Sequence, residues 1–368
     1  MYDGQTVGVV VPAYSEAGHV GGVIETMPAY VDRVYAVDDA SSDETWTEIR
    51  EHAARRNERS AARNGSGGPE ARTRVVPIRH ERNRGAGAAV KTGYARALED
   101  DVDVVAVMDG DGQMDPAHLE RVIEPVAAGE VTYAKGNRLR SSRDYATMSR
   151  WRLFGNVLLT MLTRVSSGYW EVSDPQNGFT AISGEGLRTV RFDRLYDRYG
   201  FLNDLLFALN VNREPIADVA HPARYGDERS TIRYSTFVPR LSALIARNFL
   251  SRIARSYVFR RFHPLAACYA FGAVVMVAGL AGGGYSLWSA GVDSFLGGMA
   301  SLSVATLGLL LLLFGTWLDV EDNEGLVRDV GAPRADEIDR IGTARRDRQL
   351  DVAHDGGTTG DGGEADRR

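Results

Sequence analysis

Residues Val104 to Pro116 read VVAVMDGDGQMDP. An apolar run stops abruptly, and Asp109, Asp111 and Gln113 follow at alternate positions, separated by glycines. Such a run, bounded by turn residues, reads as a buried strand with two carboxylates at its tip. Neighbouring carboxylates repel, and burying them costs several kcal/mol unless a cation or hydrogen-bond donors compensate. A divalent metal would do so. Mg²⁺ and Mn²⁺ favour carboxylate, carbonyl and water oxygens, and Mg²⁺ is usually shared with substrate phosphates. The stretch therefore reads as half of a metal–diphosphate site, with substrate phosphates supplying the rest.

The pattern repeats upstream. VGVVV (7–11), VYAVD (34–38) and RVVPI (74–78) read as further fully buried strands, with VTYAKG (131–136) as a fifth. Amphipathic stretches lie at 16–27, 43–56, 86–99 and 116–128, and the polar, Gly-rich stretch 55–74 reads as an exposed loop. Alternating β and α elements with continuously apolar strands imply an α/β fold: a mostly parallel sheet with helices on both faces. Ligands of such sheets bind at the carboxyl ends of the strands. Those ends carry Pro12, Tyr14, Ser15 and Glu16 after the first strand, and Asp38, Asp39 and Asp43 after the second. Asp43, with Ser41 or Ser42, could equally cap the next helix. Asp39 and Asp111 have no such role.

The second half of the chain has another character. Pro264–Trp288 and Phe295–Leu318 contain no charged residue. Each exceeds the roughly 20 residues that cross about 30 Å of hydrocarbon. The alternative is a pair of buried core helices, which are normally shorter. A short turn near Gly291–Ser294 joins the two, so residues 264–318 are expected to form a two-helix transmembrane hairpin. Arg247, Arg252, Arg255, Arg260 and Arg261 precede it, while the turn holds no Lys or Arg. The positive-inside rule then places residues 1–233 and the tail on the cytoplasmic side of an integral membrane protein. Between them, 234–263 alternates apolar and basic residues. Phe237, Leu241, Leu244, Ile245, Phe249, Ile253 and Tyr257 would form a lipid-facing stripe of interfacial helices; a helix packed on the soluble domain is the alternative. Residues 331–368 are rich in Gly, Asp and Arg and read as a disordered tail.

Composition adds exclusions. The net charge of −6 over 368 residues argues against a nucleic-acid partner. Cys268 is the single cysteine, which excludes an internal disulfide and a cysteine zinc site and fits a reducing compartment. The amino-terminal residues hold no signal-peptide core and enter the first strand directly.

Taken in order, five motifs resemble the family 2 glycosyltransferases, and among them the dolichyl-phosphate mannose or glucose synthases. They are VVPAYSE (10–16), VDDASSDET (37–45), NRGAGAAVKTG (83–93), DGDGQ (109–113) and SDPQNGF (173–179). The resemblance spans Val7 to about Tyr234. It implies a GT-A-like, nucleotide-sugar-binding sheet. By resemblance, Pro12, Tyr14, Glu16, Asp38 and Asp39 line the nucleotide, Asp109 lies near it, and Asp111 and Gln113 surround Mg²⁺ or Mn²⁺. Arg138, in KGNRL, matches an arginine at the phosphate end of the site. Arg152, Arg224, Arg229 and Ser230 sit where such proteins gather groups for an acceptor phosphate. There are departures: Ser15 replaces the usual Asn, Ala86 stands where many members have Lys, and YGDERSTIRY (225–234) replaces a GxSKL-like motif. A QxxRW motif is missing, which argues against a polysaccharide-extruding synthase.

The reaction implied is metal-dependent, inverting transfer of a sugar from a UDP or GDP donor. A polyprenyl or dolichyl phosphate acceptor is already anionic and needs arginines such as Arg138, not a strong base. A hydroxyl on a lipid-linked glycan would need a carboxylate base, for which Asp204 in FLNDLLF is the candidate; its other reading is a helix cap. A non-catalytic, nucleotide-binding membrane scaffold is a third reading, against which the intact DGDGQ speaks. A nucleotidyltransferase would want a Gly-rich basic loop after the first strand, and PAYSEAGH is not one.

Overall fold

Strand β1, Val7–Ala13, is buried along its whole length. Its alternate side chains enter two different cores: Val9 and Val11 one, Val10 the other. Both faces of the sheet are therefore covered, which is why the run shows no polar alternation. This computed structural model describes residues 1–63, 73–138, 150–221, 234–289 and 292–331. Strands β2 (Arg33–Asp38) and β4 (Val104–Val107) flank β1 in parallel. Strand β3 (Arg74–Arg79) pairs with β2 and ends the sheet on that side. It is only partly buried, not fully as its composition suggests, and an edge is where Pro77, lacking an N–H, is tolerated.

Beyond β4 the order breaks. Strand β6 (Thr180–Ser183) inserts antiparallel between β4 and β5 (Tyr133–Asn137), and β7 (Ile216–Ala220) continues parallel to β5. The last strand, β8 (Val327–Val330), lies after both apolar helices and pairs in parallel with β7. Among the described residues the sheet runs β3-β2-β1-β4-β6-β5-β7-β8.

The helices on the sheet are α1 (Val20–Glu25), α2 (Thr45–Arg63), α3 (Ala86–Glu99), α4 (Leu119–Ala127), α5 (Arg150–Ser167), α6 (Gly184–Val190) and α7 (Phe201–Val211). Helix α2 extends to Arg63, so the first part of the expected 55–74 loop is helical. Helix α8 (Tyr234–Arg252) runs on as a π-helical turn over Ile253–Phe259. Four of the seven residues expected in its lipid-facing stripe face protein instead, while Phe249 and Ile253 are half-buried and the Phe237 side chain lies outside the described residues. Leu241, Leu244 and Ile245 are buried against Leu159 and Tyr196, and Tyr257 is buried as well. An apolar stripe at helical spacing packs on protein as readily as on lipid, and periodicity alone does not separate them.

Two helices, α9 (Pro264–Trp288) and α10 (Val292–Asp322), are long and apolar enough to cross a membrane. They pack through glycines one heptad apart on each helix, Gly272 and Gly279 of α9 and Gly308 and Gly315 of α10. A Cβ on Gly279 would collide with the backbone nitrogen of Ala305, and one on Gly308 with that of Met276.

Polar groups weld the base of this hairpin to the sheet domain. Arg252 is fully buried and donates to both oxygens of Asp319 at 2.7 and 2.6 Å. It also donates to the carbonyls of Ser166 and Val165, at the end of α5, at 3.2 and 2.9 Å. The Tyr257 hydroxyl donates to Asp319, Asn323 to Tyr257, and Asn210 of α7 to Asn323. Arg213 and Arg261 both reach Asp322.

Candidate active site

The carboxyl ends of β1, β2, β4, β5 and β7 share one edge, and antiparallel β6 begins there. Topology thus gathers the segments after Ala13, Asp38, Val107, Asn137 and Ala220 with the loop that precedes Thr180.

The chain after β1 is held from the loop after β2 and from the first turn of α2. Ser15 N–H donates to Ser41 Oγ at 3.0 Å, Glu16 N–H to Thr45 Oγ1 at 2.8 Å, and Gly21 N–H to Glu48 at 2.8 Å. Pro12 is buried beneath it, Glu16 is half-buried, and the Tyr14 ring stays exposed. Ser15 has a φ of 60°, a conformation that Asn adopts more readily than Ser. That gives a physical reason for the Asn usual at this position. Asp43 accepts from the hydroxyl and N–H of Thr45 at 2.6 and 3.2 Å, so it caps the start of α2. Burial alone would raise its carboxyl, but these hydrogen bonds hold it below the ordinary value.

Asp38 and Asp39 are buried. Asp38 accepts from Ser41 N–H at 3.0 Å, and Arg79 Nε lies 3.0 Å from its other oxygen. Asp39 accepts from His80 Nδ1 at 2.6 Å and from the N–H groups of Arg84 and Gly85 at 2.9 and 2.7 Å. His80 Nε2 lies 2.9 Å from Thr92 Oγ1. The second acidic loop thus fastens the NRGAG turn to the site edge.

In the third loop Asp111 accepts from Gln113 N–H at 2.9 Å, and Gly112 turns the chain at a φ of 73°. Asp109 faces the SDPQNGF loop: a Cβ on Gly178 would lie 3.0 Å from Asp109 Oδ2. Partial burial and the Asp109 charge both raise the Tyr199 phenol above its ordinary value. The same loop carries Asp174, which Arg138 grips through Nε and Nη2 at 2.8 and 3.1 Å. Burial would push the Asp174 carboxyl up, but Arg138 holds it below the ordinary value. Arg138, Asp174, Gly178 and Asp109 therefore form one connected wall.

Beneath that wall is a pair the sequence analysis misses. Lys135, buried in β5, donates to Asp218 of β7 at 3.0 Å, to Gly136 O at 3.0 Å and to Ser173 O. Asn137 and Ser173 N–H bind the other Asp218 oxygen at 3.0 and 2.9 Å. Asn177 meets His221 at 2.8 Å. The signal was present: a lysine in VTYAKG and an aspartate in PIADVAH each interrupt a buried strand, and buried charges require partners.

Asp204 lies in the first turn of α7. One oxygen accepts from Tyr196 N–H and the other from Arg247, both at 2.9 Å. Its carboxylate ties α7 to α8. Arg152 lies in α5, with its side chain outside the described residues; Arg224, Arg229 and Ser230 also fall outside them.

The donor set fits a divalent metal shared with a substrate. Among the described residues no three His, Cys, Asp or Glu side chains cluster to enclose an ion. Asp109 and Asp111 stand within one short loop, two carboxylates for a cation whose other ligands come from elsewhere, as substrate diphosphate oxygens would supply. A cavity of about 730 Å³ lined by Thr6, Asp32, Arg33 and Asp100 opens at the opposite edge, where β1 and β2 begin, and is no part of this site.

The sequence profile described as glycosyl transferase family 2 matches residues 8–190. A Methanococcus voltae protein named UDP-N-acetylglucosamine–dolichyl-phosphate N-acetylglucosaminyltransferase is 28% identical over 212 residues, 57% of this chain and 82% of that one. An uncharacterized Methanocaldococcus jannaschii protein is 31% identical over 192 residues, 52% of this chain and 70% of its own length. An undecaprenyl-phosphate mannosyltransferase of Micrococcus luteus is 26% identical over 218 residues, 54% of this chain and 75% of that protein.

Proposed function

Because the chain belongs to glycosyl transferase family 2, we propose that it moves a sugar from a nucleotide-diphosphate sugar to a polyprenyl phosphate at a membrane surface. The observation that carries the reading is the joining of the family domain to an apolar hairpin. The sheet is fastened to that hairpin at both ends, through α8 before it and β8 after it. The names of the two polyprenyl-phosphate glycosyltransferases among its relatives support the same acceptor class.

In this reading the nucleotide sits on the edge formed by Pro12, Tyr14, Glu16 and the loop fixed by Asp38 and Asp39. Asp109 and Asp111 would hold Mg²⁺ or Mn²⁺, with Gln113 beside them. The bound ion would act as a Lewis acid that neutralises the leaving diphosphate. Arg138, oriented by Asp174, steers the acceptor phosphate. One acceptor phosphate oxygen bonds to the anomeric carbon as the bond from that carbon to the donor β-phosphate oxygen breaks. The nucleoside diphosphate leaves as an anion, and the attack from the opposite face inverts the centre. A phosphate monoester is largely dianionic at pH 7, so no proton need be removed. Transfer to a glycan hydroxyl would need a base, and Asp204 is engaged by Tyr196 and Arg247. The arginines before the hairpin favour a cytoplasmic position for the domain.

The test is transfer of label from UDP- and GDP-sugars into organic-extractable lipid, in membranes containing the protein, with and without Mn²⁺ or Mg²⁺. Metal-dependent label in an acid-labile lipid, lost in Asp111→Ala, is the expected result and names the donor. Full activity of Asp111→Ala would overturn the mechanism. Metal-dependent nucleotide binding with no lipid label would overturn the acceptor, and absence of any nucleotide binding would leave the scaffold reading.

A further inference from the structure

Helix α5 is inside out for a helix in water. Val157, Leu158, Met161, Leu162 and Val165 recur at helical spacing and are all exposed, Met161 at 59%. The opposite side, apart from Leu159, is polar and buried. Thr163 donates to Leu159 O and accepts from Asn203, while Ser166 and Ser167 donate to Thr163 O. A helix on a soluble surface places its apolar stripe inward and its polar face outward.

We propose that the outward face of α5 is a membrane-contact surface, with this apolar stripe seated in the lipid interface beside the hairpin. Two further observations select lipid as the occupant. The first is depth. Arg252 binds Asp319 near the end of α10 and, with the same guanidinium, the carbonyls of Val165 and Ser166. The carboxyl end of α5 is therefore pinned level with the point where the hairpin leaves its apolar stretch. The second is continuity. The chain entering the hairpin exposes Leu250 at 66%, Phe259 at 84% and Phe262 at 90%. Phe262 holds a φ of 51°, a costly conformation for a bulky side chain. Rings held out in this way beside Arg260 and Arg261 fit the boundary between acyl chains and anionic head groups.

The inference rests on α9 and α10 crossing a membrane and not on which sugar is transferred. It has a consequence for the reaction as proposed. Helix α5 is the next described element after Arg138. A lipid-borne phosphate could then reach the site without leaving the interface.

The test uses the full chain in a Cys268→Ser background, with single cysteines replacing Leu158, Met161, Phe259, Leu280 or Glu51. Each carries a nitroxide label in vesicles of phosphatidylcholine and phosphatidylglycerol. Collision with oxygen is compared with collision with an aqueous nickel chelate. Leu158, Met161 and Phe259 are expected to favour oxygen, at a depth of about 5–10 Å. Leu280 should lie deeper, and Glu51 should favour nickel. Nickel access at Leu158 and Met161 equal to that at Glu51, with Leu280 still protected, would overturn the proposal and leave the membrane reading standing. Nickel access at Leu280 too would overturn both. Spin–spin broadening at Met161 would assign the face to a second copy and also refute it.

Discussion

Asp319→Asn would break a fully buried ion pair from one side. Arg252 and Asp319 are both fully buried and joined by two hydrogen bonds, at 2.7 and 2.6 Å. In the variant the Arg252 charge remains buried, with the carbonyls of Val165 and Ser166 as uncharged partners. Breaking a buried pair from one side costs about 3–5 kcal/mol, because an uncompensated charge stays behind. At about 2 °C per kcal/mol for a domain of this size, the melting temperature should fall by about 6–10 °C. The assay is tryptophan fluorescence on heating, with the chain in nanodiscs. A cycle with Arg252→Met and Asp319→Leu sharpens it: removing both charges leaves no orphan, so the double variant should lose less than the sum of the singles. A shift under about 1 °C in Asp319→Asn, or strict additivity in the cycle, would refute the reasoning that this ion pair locks the hairpin to the sheet domain.

The remaining predictions concern the site and the end of the chain. Gly178→Ala should push the Asp109 carboxylate aside, since the new Cβ would lie 3.0 Å from one oxygen; kcat should fall about tenfold with unchanged melting, because sub-ångström misplacement suffices. Asp174→Asn should destabilise by about 1–2 kcal/mol, a value reduced for the partly exposed Arg138. Asp174 is held below its ordinary value, so its contribution is complete above that value and vanishes as pH falls through the lowered one. The melting difference between wild type and variant should be constant from about pH 8 to 5 and shrink below about pH 4. Deleting 331–368 should leave lipid labelling intact, whereas ending the chain at Glu324 removes β8 and should lower the melting temperature; equal melting of the two truncations would refute a role for that strand.

What could be read from the sequence was what is written locally. Apolar runs that stop at Asp38 and Asp109 announce buried strands with charged tips, and an uncharged stretch such as Pro264–Trp288 announces a long apolar helix, because each signal lies within one continuous stretch of chain. Pairing across the chain has no such trace. VRDV (327–330) resembles many short polar segments, and becomes a strand because the hairpin returns the chain beside β7. Lys135 and Asp218 each signal a buried charge, yet that they satisfy one another follows from β5 lying beside β7. The two apolar stripes make the sharper point. Leu241, Leu244 and Ile245 have the spacing of a lipid face and are buried in protein, while Val157, Leu158 and Met161, with equal periodicity, are left uncovered. Periodicity reports that one side of a helix avoids water. Which medium meets that side is decided by what sits opposite it, and at α5 the opposite side is occupied by Thr163, Ser166 and Ser167, whose hydroxyls already have partners within the fold. The polar side of α5 is spoken for by the protein, so its apolar side is left to the surrounding medium, which is lipid if the hairpin crosses a membrane as proposed.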